Sequence, residues 1–116
     1  MAQAPRPVYL RLRDQIAAAI MDGSYPEGAM LPSVRAFAAA EGTNPLTVAK
    51  AYQHFQEAGL VQVQRGVGML VVPGAAEMLR RSERAAFLRG EWPDIAARIR
   101  RLGIDPVQLL SGGETV

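Results

Sequence analysis

One histidine, no cysteine and no pair of carboxylates at a motif spacing leave this 116-residue chain little from which to assemble catalysis. His54 is the only imidazole. The absence of cysteine removes disulfides, thiolate zinc sites and cysteine nucleophiles together, and no glycine-rich loop is placed to cradle a phosphate. The sequence therefore offers no catalytic residue, no metal site and no cofactor site. Its basic residues are almost all arginine: 13 basic residues stand against 11 acidic ones, for a net charge of +2. Neither half of the chain is a polybasic tail, so a site for a polyanion has to be built by placing a few cations on one face.

Three places offer such cations. Arg35 falls on a helix face opposite Val34, Phe37 and Ala38. Thr47, Lys50 and His54 follow one another at three- and four-residue steps and form one ridge, off the Val48, Tyr52 and Phe55 stripe. Arg65 stands beside Gly66, a cation next to a residue without Cβ, which suits close backbone approach. Ser33 opens a helix, where hydroxyl and backbone N–H together can hold a phosphate. Each has a plainer reading: Ser33 as a simple cap, Arg35 and His54 as solvated helix residues, Arg65 as an edge charge that discourages strand pairing. The Arg80-Arg81-Arg84 cluster reads as a solvated face with Glu77 and Glu83 beside it.

These residues need elements to hold them. Met1 to Pro7 carries two prolines and no period, and reads as an extended arm. From Val8 to Asp22 the apolar positions Tyr9, Leu12, Ile16, Ala19 and Ile20 recur at helical spacing, and Gly23 stops the helix. A turn-rich stretch from Ser24 to Pro32 leads to a short helix from about Ser33 to Glu41, with Gly42 at its left-handed exit. Asn44 is a good N-cap and Pro45 suits the first helical position, where its missing N–H is no loss. This helix runs to about Ala58. Only Gly42 and Thr43 separate the two, which makes a helix-turn-helix. Leu60 to Gln64, the tight turn Arg65-Gly66-Val67-Gly68 and Met69 to Val72 then form a β-hairpin in the wing position.

Pro73-Gly74 breaks the pattern. Ala75 to Arg89 is helical in composition, with Met78, Leu79, Ala86 and Phe87 as candidates for burial. Gly90 and Pro93 either kink this helix or end it before a new one from about Asp94 to Leu102. Asp105-Pro106 opens a short helix through Leu110, and Ser111 to Val116 reads as a frayed tail. The expected fold class is mainly α with a small β-hairpin: an arm at 1–7, a winged helix-turn-helix domain at 8–74 and a helical region at 75–116. Apolar stretches such as Ile16 to Met21 fall far short of the roughly 20 residues a bilayer span needs. With no leader pattern either, a cytoplasmic location and no membrane partner are expected.

Leu31-Pro32-Ser33-Val34-Arg35, Thr43-Asn44-Pro45-Leu46-Thr47-Val48-Ala49-Lys50-Ala51-Tyr52, Glu57-Ala58-Gly59-Leu60-Val61 and Arg65-Gly66-Val67-Gly68 follow one another in this order. Together they resemble the N-terminal domain of GntR-type bacterial transcription regulators, and the likeness covers roughly Pro7 to Val72. The form of the second helix, joined to a short helical tail with Leu102-Gly103-Ile104, is similar to the YtrA subfamily. The resemblance implies DNA contacts at Ser33, Arg35, Asn44, Leu46, Thr47, Lys50, Arg65 and Gly66. It also implies that the tail is a dimerisation element, and that many such proteins repress operons for ABC-type transporters. An arginine in the position of Arg35 can bond O6 and N7 of guanine at once, and Arg65 with Gly66 suits the minor groove. Pro45 and Ala49 stand where many relatives carry arginine, and Leu46 where the subfamily often has a polar residue. Base reading by the second helix is thereby thinner, and weight shifts to Arg35 and the wing.

The stretch after Gly74 carries Phe87, Leu88, Trp92, Ile95, Ile99, Leu102 and Leu109, too many large apolar residues for so short a segment to bury alone. They either pack back on the winged domain or meet a two-fold partner. The partner is preferred, because an operator-binding helix-turn-helix works on paired half-sites. The expected function is a homodimeric, sequence-specific repressor on a pseudo-palindromic double-stranded DNA operator. The rival is a winged helix used as a protein-interaction module, with no salt-dependent DNA binding.

Overall fold

The three- and four-residue spacing of Leu12, Ile16 and Ile20 forms helix α1, Val8–Met21, and buries those residues together with Ala17. The structure, a computed structural model, describes residues 7–112; the expected arm up to Arg6 and the last four residues of the expected tail lie outside the described residues. Tyr9 and Ala19 are only half-buried. Ala19 falls at the edge of the buried arc, and Tyr9 keeps its azimuth but sits in the first turn, at the end of the buried stripe.

Helices α2, Val34–Glu41, and α3, Pro45–Glu57, follow. Gly42 joins them at φ 64°, a left-handed conformation that glycine adopts without a Cβ penalty. There the Thr43 N–H reaches the Ala38 carbonyl at 2.9 Å, closing the helix end. Val48, Ala51, Tyr52 and Phe55 are the buried side of α3, and the Phe37 and Tyr52 rings meet edge to face with centroids 6.0 Å apart. Phe55, Ile16, Ile20 and Val48 are all buried to 2% exposure or less. Each such side chain contributes roughly 1.5–3 kcal/mol of burial.

Strands β1, Val61–Gln64, and β2, Gly68–Val71, pair antiparallel in the register Val61↔Val71 to Gln64↔Gly68. The outer edge of β2 is covered in turn by the stretch before α2: Met30 bridges Leu70, and the Leu31 N–H donates to the Met69 carbonyl at 2.8 Å. An edge paired in this way is closed to other chains. Val61 and Val71 enter the core, whereas Val63 is 51% exposed because the hairpin projects beyond the core after its first residues.

Helix α4, Ala75–Ala86, places only its first turns on that core, through Ala75 and Leu79. Met78, Ala86 and Phe87, expected to be buried, are exposed. Arg80 ties this turn to α1 by donating to the Met21 carbonyl at 2.9 Å. The chain up to Arg80 is one compact unit, and a second begins at Arg81.

In the second unit the helix neither ends nor stays regular at Gly90 and Pro93. It passes through a π-helical turn, Phe87–Glu91, where the Trp92 N–H bonds the Phe87 carbonyl five residues back, and continues as α5, Trp92–Leu102. Pro93 lacks an N–H, and in a regular helix its ring would press on the Arg89 carbonyl; a widened turn relieves that clash. Gly103 ends α5 and Asp105 caps α6, Pro106–Gly112, by accepting from the Val107 N–H at 3.0 Å. The last helix therefore extends past the expected end at Leu110. No residue of this unit is buried among the described residues. No described helix is long and apolar enough to cross a membrane.

Candidate nucleic-acid interface

The start of α2 is a built element. Ser33 Oγ accepts from the Ala36 N–H at 3.1 Å, so the hydroxyl serves as a cap, and the exposed Arg35 follows in the first turn. The Tyr52 hydroxyl donates to the Pro32 carbonyl at 2.8 Å and anchors this start to α3. Burial raises the Tyr52 phenol well above its ordinary value, with Tyr25 adding to the shift, so Tyr52 stays protonated as a donor at neutral pH.

At the start of α3, Asn44 Oδ1 accepts from the Leu46 N–H at 2.7 Å, which uses the side-chain oxygen as a cap. Leu46 is 78% exposed, a large apolar residue held in solvent. Leu46, Thr47 and Lys50 share the wall of one cleft of about 360 Å³ with Val8 and Tyr9 of α1. The Lys50 ammonium lies 4.1 Å from the centroid of the Tyr9 ring. His54 stands in the last turn of α3, exposed and edge-on to Phe55.

At the wing, Arg65, Gly66 and Val67 form the turn, closed by the Val67 N–H on the Gln64 carbonyl at 2.9 Å. Gly66 takes φ 76° and has open space where a Cβ would stand. Arg65 and Gly66 line a second cleft, about 540 Å³, together with Ser33, Met30, Val63 and Val67. The structure thus gathers Leu46, Thr47 and Lys50 at one cleft and Ser33, Arg65 and Gly66 at another. Arg35 and Asn44 line neither. Sequence spacing placed Tyr9 in the core and gave Met30 no role. Only the position of Tyr9 in the first turn of α1, where a stripe runs past the core, signals otherwise.

Position, more than pairing, sets these cations apart from the other arginines. Arg13 pairs with Asp14 at 2.9 Å, and Arg80 with Glu77 at 3.2 Å. Arg35, Lys50 and Arg65 form no ion pair with a carboxylate among the described residues. They come from α2, α3 and the wing, the three elements with which a winged helix-turn-helix meets a duplex. No group of three or more metal-ligating side chains is found among the described residues.

Residues 8–71 match the gntR family of bacterial regulatory proteins. This chain belongs to that family. GntR proteins are DNA-binding transcription regulators and not enzymes, and the fold here is their winged helix-turn-helix followed by a helical region. The chain is 28% identical over 115 residues to the uncharacterized HTH-type transcriptional regulator YhcF of Bacillus subtilis, covering 97% of this chain and 92% of YhcF. It is also 28% identical over 99 residues to the HTH-type transcriptional repressor YtrA of the same organism, covering 85% of this chain and 70% of YtrA. A crystal structure of a transcriptional regulator from Oenococcus oeni superposes with a TM-score of 0.72 at 28% identity, over 94% of this chain and 89% of that one. The GntR chain described here is therefore similar to a YtrA protein over 85% of its length.

Proposed function

We propose that this GntR protein is a repressor that occupies a pseudo-palindromic operator as a homodimer. The observation that carries this reading is the set of three exposed cations without carboxylate partners, Arg35, Lys50 and Arg65, on α2, α3 and the wing. Arg35 reads a guanine edge in the major groove. Thr47 and Lys50 enter with the first turns of α3, with Leu46 against a thymine methyl. Arg65 and Gly66 approach the minor groove or its phosphates. Ser33 and Asn44, engaged as caps, hold the helix starts and offer their remaining donors to phosphates.

The second unit supports the dimer. Phe87, Leu88, Trp92, Ile95, Leu102 and Leu109 are between 37% and 62% exposed, and Ile99 is half-buried. An apolar set of this size calls for a partner, and an identical chain supplies one with two-fold symmetry, as paired half-sites require. The similarity to YtrA of Bacillus subtilis, a transcriptional repressor, supports repression, and the resemblance of the sequence to the YtrA subfamily points to a transporter operon as the target.

The test is binding of a duplex enriched from a randomised pool, followed by fluorescence anisotropy against a scrambled duplex over a range of salt. Preference for the enriched duplex, with affinity falling as salt rises, supports the reading. Equal, salt-independent binding of both overturns it and favours a protein-interaction module.

A further inference from the structure

Tyr9 stands apart from the rest of the α1 stripe. Its ring is half-buried in the first helical turn, and the Lys50 ammonium lies 4.1 Å from the ring centroid. At that range the negative face of an aromatic ring attracts a cation. Both residues wall the cleft of about 360 Å³ that also holds Val8, Leu46 and Thr47. The first turn of α1 is thereby part of the same surface as the start of α3.

We propose that Tyr9 is a positioning residue for DNA recognition, its ring holding the Lys50 ammonium at the mouth of this cleft for contact with duplex DNA. The proposal rests on the reading of Lys50 as a DNA contact. A lysine on a four-carbon stem samples many rotamers, and ordering it on binding costs entropy. One already held on a ring has less freedom to lose. The choice of an aromatic partner also matters. A carboxylate would hold Lys50 equally well but would cancel its charge and repel phosphate, whereas the ring leaves the full positive charge for the polyanion. Val8 and Leu46, 43% and 78% exposed, form an apolar lip beside that charge.

The experiment is a double-mutant cycle on the full chain, using the enriched duplex and anisotropy. Tyr9→Phe keeps the ring and binds as the wild type does. Tyr9→Leu weakens binding by about 2- to 5-fold per subunit, the worth of an exposed cation–π contact, and this loss disappears when Lys50→Ala is already present. An equal loss in both backgrounds, or no loss, overturns the positioning role. Wild-type affinity in Lys50→Ala overturns the Lys50 contact itself, and so the two failures are distinguishable. A measurement free of any folding defect accompanies the cycle: proton NMR of the wild type, where the ring current moves the Lys50 Hε resonances upfield. Unshifted Hε resonances contradict the proposal.

Discussion

Arg35 and Arg65 share a charge but not a task. Arg35, in the first turn of α2, serves base recognition in the proposed complex, so Arg35→Ala relaxes sequence preference by about 1–3 kcal/mol between the enriched and scrambled duplexes. Competition anisotropy checks this, and unchanged discrimination counts against the assignment. Arg65→Ala weakens both duplexes alike and lowers the salt slope by about one unit per lost phosphate contact and subunit. A titration at several salt concentrations separates the two behaviours. The placement of both arginines was legible in the sequence, because helix period and hairpin turn fix which side chains leave the core. The contact between Tyr9 and Lys50 was not. It depends on how far α1 is displaced along α3, a register that the period of either helix alone does not set.

At the scale of elements, the caps that fix α2 and α3 also hold the cations. Asn44→Ala removes the bond to the Leu46 N–H and costs about 0.5–2 kcal/mol of stability in urea unfolding. Gly42→Ala forces a Cβ into a φ of 64° and costs about 1–2 kcal/mol in the same measurement. A neutral result for either would mean that the turn between α2 and α3 is set by packing. These boundaries were readable because Gly42, Asn44 and Pro45 each permit few conformations. The segment around Gly90 and Pro93 was not readable in the same way. A proline inside a helical pattern can end the helix, kink it or widen one turn, and the backbone here takes the third course with the Trp92 N–H on the Phe87 carbonyl. Burial in α4 was legible only in part, since Leu79 lies on the core while Met78 and Ala86 do not; the pattern shows a face, not how many turns of it are covered.

For the whole molecule, the net charge of +2 is small for a protein that binds a polyanion. In the proposed homodimer Arg35, Lys50 and Arg65 are doubled, which resolves that and makes the apolar second unit a condition of DNA binding. Leu102, 62% exposed, is expected at the partner interface, so Leu102→Glu yields a monomer by sedimentation, with unchanged helical content and weaker operator binding. A variant that remains dimeric would remove Leu102 from the interface. The most direct test of the account is hydroxyl-radical footprinting of the wild-type protein on the enriched duplex. It predicts two protected half-sites with centres about one helical turn apart. A single protected half-site, or uniform cleavage along the duplex, contradicts it.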